Sequence, residues 1–318
     1  MRNYIIKRLL LIIPTLFIFT FMVFVIIRFI PGSIVDLIAE QLSRFGVPAD
    51  RAAVAHSLGL DVPIYVQYGR WLGGLFLHGN LGTSLWRHTP VLDEIMVRWP
   101  VTVELGILGI IISQIIALPI GIYSALRQDT WGDYIGRSFA ILCIAIPGFW
   151  LATLIIVFPS IWWGYMPPVV YTSFIKDPAA NLEMFIIPSV VLGMAMAGGT
   201  MRMTRTMVLE VLRQDYIRTA WAKGLRERAV VIRHVMKNAL IPVVTIIGGQ
   251  VPILIGGEVI IEQIFCLPGL GRLAIDAVMF RDYPLTIGIM LFFGVGLLLI
   301  NLGVDLTYAF LDPRVQYK

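Results

Sequence analysis

The feature that most constrains this chain is a series of apolar runs, each long enough to cross a lipid bilayer. Hydrophobic residues make up 58% of the 318 residues, and charged residues only 14%. Several of the runs exceed the roughly 18 apolar residues that indicate a membrane-spanning helix. We therefore predict an all-α polytopic membrane protein with six transmembrane helices.

The first of these runs lies at the N-terminus. Residues 1–8 carry Arg2, Lys7 and Arg8, and an apolar run follows from Leu9 to about Ile30. The run is too long for a cleaved signal peptide, and no small-x-small cleavage site follows it. We predict that residues 1–30 form an uncleaved transmembrane helix whose N-terminus is cytoplasmic, because basic residues favour that side.

The remaining chain divides into one polar segment and an apolar core. Residues 31–99 are predicted to form an extracytoplasmic loop subdomain of short helices, and residues 100–311 a core of five helices. Residues 312–318 form a cytoplasmic tail. We place Pro100 in the first turn of the second helix, where proline is tolerated, and expect a kink at Pro147-Gly148. The predicted core helices cover residues 101–125, 138–162, 185–204, 239–262 and 286–308.

A strongly basic segment, residues 205–238, interrupts this core. From residue 202 to residue 237 there are nine Lys or Arg residues against three acidic ones. These basic residues are Arg202, Arg205, Arg213, Arg218, Lys223, Arg226, Arg228, Arg233 and Lys237. A short loop this basic stays in the cytoplasm. The formal charge of +5 is thus explained by topology, and nucleic-acid binding is not indicated.

The basic segment has the pattern of a helix, a glycine and a second helix. Leu209, Tyr216 and Ala220 lie at helical spacing, Gly224 interrupts, and Val231 and later residues resume the pattern. A hairpin of this kind on the cytoplasmic face indicates a docking element. The alternative is a solvated basic loop that only sets the orientation of the chain.

Sequence motifs for catalysis and metal binding are absent. The chain contains no GxxxxGK[ST], HExxH or GxSxG motif, so we predict that it is not an enzyme and does not hydrolyse ATP itself. The histidines of the polar segment have no metal-ligand spacing. The two cysteines, Cys143 and Cys266, are expected to pack rather than to form a disulfide.

Four polar residues are candidates for a translocation path: Glu104, Gln114, Gln250 and Glu258. Packing between helices would explain each of them equally well. A proton-coupled carrier more often has a carboxylate near the membrane midplane, whereas the carboxylates here lie near helix ends. An ion-gradient-driven carrier or channel therefore stays an alternative to a membrane subunit that is driven by a separate ATPase.

A series of short motifs along nearly the whole chain favours the membrane subunit over the ion-driven carrier. They are K-R-L-L-L-I-I-P-T-L (7–16), P-G-S (31–33), L-G-L-D-V-P (58–63), Q-Y (67–68), N-L-G-T-S (80–84), D-Y-I-R-T-A-W-A-K-G-L (215–225), R-H-V-M-K-N-A-L-I-P (233–242), L-P-G-L-G (267–271), R-D-Y-P (281–284) and D-P-R (312–314). In this series the chain resembles the permease subunits of ATP-binding-cassette importers of the dipeptide, oligopeptide, glutathione and nickel group.

The resemblance implies a type I importer architecture in a bacterial or archaeal cytoplasmic membrane. The implied partners are a second homologous permease, two ATPase subunits or domains, and an extracytoplasmic binding protein that meets residues 31–99 and 263–284. ATP and Mg²⁺ would be bound by the ATPases, and this chain would need no cofactor. Dipeptides, oligopeptides, glutathione, nickel chelates and sugar oligomers all stay open as substrates.

The resemblance also implies that the hairpin couples the permease to its ATPase. The implied coupling residues are Asp215, Tyr216, Arg218, Thr219, Ala220, Lys223, Gly224 and Leu225. The general family pattern is Glu-Ala-Ala, three residues and then Gly; aligning Gly224 with that glycine puts Arg218 at the glutamate position. A salt bridge from that glutamate is therefore not expected to be retained.

Overall fold

A computed structural model describes the backbone of residues 2–29, 33–44, 50–256 and 258–311. Side chains are described from residue 10 to residue 304 within those ranges. The predicted cytoplasmic tail, residues 312–318, lies outside the described residues.

The described chain is almost entirely helical. Its helices are α1 (Arg2–Phe29), α2 (Ile34–Arg44), α3 (Arg51–Ser57), α4 (Ile64–His78), α5 (Val91–Leu126), α6 (Trp131–Ala145), α7 (Gly148–Trp163), α8 (Pro178–Leu212), α9 (Asp215–Ala222), α10 (Glu227–Val230), α11 (Met236–Gln250), α12 (Ile253–Gly256), α13 (Val259–Ile264), α14 (Leu270–Met279) and α15 (Tyr283–Leu311). A π-helical turn, Val231–Val235, joins α10 to α11. Five helical segments of the described chain are long and apolar enough to cross a membrane, or six if α6 and α7 count as one broken span.

Two predicted helix starts were wrong. The second predicted helix begins at Val91 rather than at Pro100, directly after Pro90 and with Asp93 and Glu94 in its first turn, where acidic side chains complement the helix dipole. Pro100 therefore lies inside α5, which membrane helices tolerate when neighbours satisfy the freed carbonyl. The fourth predicted helix begins at Pro178 instead of residue 185, because Asp177 caps it by accepting from the amides of Ala179 and Ala180.

The third predicted helix is broken rather than kinked. Its two halves, α6 and α7, are bent by 95°. Ile146 has the extended backbone, with φ −80° and ψ 121°, that steric conflict with a following proline imposes. A single continuous span over residues 138–162 is thus ruled out by Pro147.

The remaining predicted elements also differ from the structure. The segment predicted as one helix over 239–262 begins earlier, at Glu227. A turn at Val251 and Pro252 interrupts it, and the separate helix α13 follows. The loop predicted over 263–284 contains α14, which buries Leu270, Leu273 and Ala277. Both errors arise because proline and glycine set the breaks while the apolar pattern continues through them.

The chain forms two compact units. The first comprises residues 1–100 and 268–299, and the second residues 101–267 and 300–318. In the first, α14 and the start of α5 pack on α15 around Val91, Ile95 and Ile289. In the second, α8 packs against both α6 and α11, with Phe185, Ala197 and Val208 completely buried.

Close packing of α8 against α6 requires glycine at one position. A Cβ on Gly198 would lie 2.6 Å from Ile144 Cγ1 and 2.8 Å from the Ala140 carbonyl oxygen, whereas a Cβ on Gly199 would meet nothing within 4 Å. We expect Gly198→Ala to destabilise the protein by about 1–3 kcal/mol through overpacking. Gly199→Ala, the matched control one residue away, should be neutral or slightly stabilising because alanine favours helix.

The measurement is the thermal unfolding midpoint of each purified variant in the same detergent. Equal midpoints for Gly198→Ala and Gly199→Ala would contradict this packing of α8 on α6.

Candidate functional site

The hairpin is built from two short helices that are separated by a left-handed glycine. The predicted continuous helix from Leu209 through Ala220 is wrong: α8 ends at Leu212, Gln214 is extended, and α9 begins at Asp215. Gly224 then has φ +73°, a conformation that glycine adopts at little cost. Its amide donates to the Trp221 carbonyl over 2.9 Å, and the chain turns into α10.

One face of α9 anchors the hairpin to the second unit. Ile217 and Ala220 are buried, and they share an apolar cluster with residues from the ends of α5 and α8 and from the α10–α11 segment. The other buried members of this cluster are Ala125, Val208, Val230, Val235 and Ala239. Apolar contacts therefore attach α9 to α5, to α8 and to the α10–α11 segment.

The opposite face of the hairpin is open. All residues from Trp221 to Arg228 are exposed, and so is Tyr216. The Tyr216 hydroxyl accepts a hydrogen bond of 2.9 Å from Asn238 Nδ2, which holds the ring beside the start of α11. The exposed face thus combines aromatic and aliphatic side chains, Tyr216, Trp221 and Leu225, with several cations.

Apart from the buried Ala220, the residues aligned with the family motif make only local contacts. Arg218 pairs with Asp215 over 3.3 Å, with both side chains largely exposed, and such pairs stabilise little. The Thr219 hydroxyl donates to the Asp215 carbonyl over 3.0 Å, and Lys223 ends α9. Arg218 is therefore available at the surface rather than held by a buried partner.

Two of the four predicted path residues meet. Gln114 Nε2 on α5 donates to Gln250 Oε1 at the end of α11 over 3.2 Å. Gln250 Nε2 in turn donates to Thr200 Oγ1 on α8 over 3.1 Å. These contacts connect three helices of the second unit through polar groups. Gln114 Oε1 is buried without a hydrogen-bond partner among the described residues.

The other two predicted path residues do not join this network. Glu104 lies near the Asn181 side chain. It comes ten residues before Gln114 on α5 and is therefore about 15 Å away from it along the helix axis. Glu258 precedes α13, and its carbonyl accepts from the Glu262 amide over 2.9 Å.

Sequence reasoning missed a buried ion pair in the second unit. Asp133, at the start of α6, is completely buried and accepts from Arg205 Nε and Nη2 on α8, both over 2.8 Å. It also accepts from the Ser124 hydroxyl and from the Asp129 amide. The sequence did contain a signal for this pair. Asp133 and Arg205 lie near the ends of apolar runs, and ionisable residues that become buried there usually pair with each other.

A second contact that the sequence did not predict joins two of the family-like motifs in the first unit, N-L-G-T-S and R-D-Y-P. Asp282 accepts from the Ser84 hydroxyl and, over 3.1 Å, from the Leu85 amide. Next to it, Trp86 Nε1 donates to the Phe280 carbonyl over 2.6 Å. The N-L-G-T-S and R-D-Y-P motifs therefore pack against each other, although about two hundred residues separate them.

No group of three potential metal ligands occurs in the described part of the chain. His56 lies instead 2.6 Å from Asp61, and this hydrogen bond holds the pKa of the Asp61 carboxyl below its usual value. Cys143 is buried and Cys266 exposed, and both are free thiols.

Comparison with known proteins identifies the family. Residues 117–317 match the model for the binding-protein-dependent transport system inner membrane component, and residues 1–106 match the N-terminal model of such components. A permease protein of Brucella abortus (strain 2308), provisionally named for peptide transport, is 40% identical over 98% of both chains. A glutathione transport system permease protein of Salmonella paratyphi A is 39% identical over all of both chains.

A solved structure supports the fold. A chain of an amino acid ABC transporter, crystallised with histidines, superimposes with a TM-score of 0.54 at 14% identity, covering 69% of this chain and 94% of that one. From these matches, the chain belongs to the family of inner membrane components of binding-protein-dependent transport systems, the non-catalytic permeases of ABC importers.

Proposed function

We propose that the hairpin from Asp215 to Leu225 is the surface on which an ATPase subunit docks, and that it transmits ATP-driven motion to the helices. The observation that carries this proposal is the contrast between its two faces. Ile217 and Ala220 are buried against three long helices, while Tyr216, Trp221 and Leu225 stay exposed next to cations. Exposed aromatic side chains on a well-anchored element are typical of an interface hot spot.

Position-specific cross-linking tests the docking. A photo-reactive amino acid at Leu225 should capture an ATPase subunit in membranes of the native host. The control position is Ile175, which is also apolar and is 92% exposed. It precedes α8, whereas the hairpin follows α8, so the two positions are separated by a helix of roughly 50 Å. ATPase capture at both positions, or at neither, would contradict the proposal.

We also propose that Gln114 and Gln250 line or gate the path. The support is their direct contact across α5 and α11 and the unpaired Gln114 oxygen, which leaves an acceptor for a passing amide or for water. Glu104 and Glu258 also stay candidates for lining the translocation path.

A double-mutant cycle measures this contact. Gln114→Leu and Gln250→Leu should show a coupling energy in stability of about 0.6–1.7 kcal/mol, as for hydrogen bonds between membrane helices. Each single variant should also lower ATP-driven uptake if the amides contact the solute. Unchanged uptake in both, together with the expected coupling, would make the pair purely structural.

Peptide-like solutes are the proposed substrate class. The support is the naming of relatives that match nearly end to end, one for peptides and one for glutathione. We further propose a second homologous permease in the complex, and docking of the binding protein on the first-unit surface around Trp86 and Phe280. Uptake by the purified complex with its binding protein, measured for dipeptides, oligopeptides, glutathione, nickel chelates and sugar oligomers, tests the substrate class directly.

A further inference from the structure

A groove of about 330 Å³ in the second unit is distinct from both the hairpin and the glutamine pair. It lies between α5, α6 and α8 and is open on one side. Its floor is apolar, with Ile120, Ala140, Ile141 and Met201, and its rim carries three arginines, Arg137, Arg202 and Arg205.

The three arginines of the rim are not fully neutralised by the acidic side chains near them. Arg205 is held by Asp133, and Asp129 is within electrostatic reach of Arg205. Arg137 lies 3.7 Å from Asp133, a looser contact, and stays partly exposed. The exposed guanidinium of Arg202 makes no ion pair with any described side chain. Three cations thus face two carboxylates, and Asp133 is already saturated by Arg205, Ser124 and Asp129.

The side of α6 that borders the groove has the composition of a lipid-facing surface. Ile141 is 61% exposed, and Ile144, one turn further along the same side, is 48% exposed. In a membrane protein, such side chains contact hydrocarbon. Trp131 and Tyr134 are also exposed at the beginning of this helix, where aromatic residues mark the membrane–water interface. Arg137 lies about one turn after Tyr134, and its guanidinium lies 4.6 Å from the Tyr134 ring centroid.

We propose that this groove binds an anionic phospholipid. The phosphate lies between Arg137 and Arg202, and an acyl chain runs over Ile141 and Met201. Basic pockets between transmembrane helices on the cytoplasmic side bind acidic headgroups, and arginine suits phosphate because it donates through two parallel N–H groups. The assignment to the inner leaflet follows from the proposed cytoplasmic position of the hairpin, since α9 packs against the ends of α5 and α8.

The position of the groove gives the lipid a consequence for coupling. Arg202 and Arg205 lie on the last turns of α8, seven to ten residues before Leu212, and α9 follows directly. A lipid that holds α6 against α8 therefore stabilises the base on which the hairpin rests. Anionic lipid should raise transport activity without contacting the ATPase.

Lipid binding is tested on the complete transporter in nanodiscs of phosphatidylcholine with increasing phosphatidylglycerol. Native mass spectrometry reports the bound lipid. Wild type should retain phosphatidylglycerol in preference to phosphatidylcholine, and Arg137→Gln with Arg202→Gln should weaken that retention by at least about tenfold. Arg137→Lys with Arg202→Lys should restore most of it. The charge-matched control is Arg233→Gln with Lys237→Gln, two exposed cations outside the groove, and should retain the lipid.

A photo-reactive amino acid at Ile141 identifies the occupant. A lipid adduct that disappears in the double glutamine variant supports the proposal. An adduct to a protein subunit would overturn it and make the groove a subunit interface. Equal retention of phosphatidylglycerol by the groove and control variants, or no preference over phosphatidylcholine, would also overturn it, leaving only general lipid contact.

Discussion

Gly224→Arg is expected to abolish ATP-driven uptake in a transporter that still folds and inserts. A Cβ at this position would meet no atom within 4 Å, so the first side-chain carbon has open space. The backbone, at φ +73°, imposes a cost of about 1–2 kcal/mol on any residue with a Cβ. The arginine side chain must then project from the exposed face on which the ATPase is proposed to dock.

Gly224→Ala separates the two effects. Alanine carries the same backbone cost but adds only a methyl group, so it should retain most of the uptake, whereas arginine should lower uptake by at least about tenfold, equivalent to about 1.4 kcal/mol. The measurements are ATP-dependent uptake and the amount of ATPase that co-purifies with each tagged variant. Normal uptake by the arginine variant would refute the docking site. Equal loss in both variants would indicate that the backbone conformation, not the exposed face, is required.

Arg205→Met is expected to be the most destabilising of the substitutions considered. Asp133 has no exposed side-chain surface, and Arg205 is 19% exposed. Removing the cation takes away the two short charged hydrogen bonds to the buried carboxylate and leaves only the looser contact with Arg137. Breaking a buried pair from one side typically costs about 3–5 kcal/mol. We expect a lower thermal unfolding midpoint and a lower yield of monodisperse protein in detergent, because α6 loses its polar attachment to α8.

Two further variants test the cause. Asp133→Asn combined with Arg205→Met removes both charges and should recover much of the stability, since neutral pairs avoid the cost of an isolated buried charge. Arg213→Met, at an exposed position that ends α8, should change stability by no more than about 0.5 kcal/mol. A double variant as unstable as Arg205→Met would show that the stability depends on the side chain of Arg205 and not on the uncompensated charge.

The family assignment decides between the function classes that the residues alone left open. An ion-gradient-driven carrier would not match a binding-protein-dependent inner membrane component over residues 117–317 and its N-terminal model over residues 1–106. The prediction of a non-catalytic importer permease is therefore confirmed, as are the all-helical fold and the membrane location. The roles of the hairpin and of the path residues stay predictions.

The amino-acid sequence by itself determined the class of this protein, the number of its apolar segments and the existence of the hairpin. These properties follow from local signals. The length of an apolar run indicates a membrane span, and clustered Lys and Arg indicate the orientation of the chain. Gly224 indicates a sharp turn because glycine adopts positive φ at little cost. The break between α6 and α7 was also local, since Pro147 acts on Ile146, but its size of 95° was not.

Only the tertiary structure decided which distant residues meet. The pairs Asp133–Arg205, Gln114–Gln250 and Ser84–Asp282 each join segments that are far apart in the sequence. The hydrophobic periodicity of a single sequence does not specify which polar residue of one helix faces which residue of another helix. That choice is made when the helices pack, because a polar group that is removed from water must find a partner or carry the cost of having none.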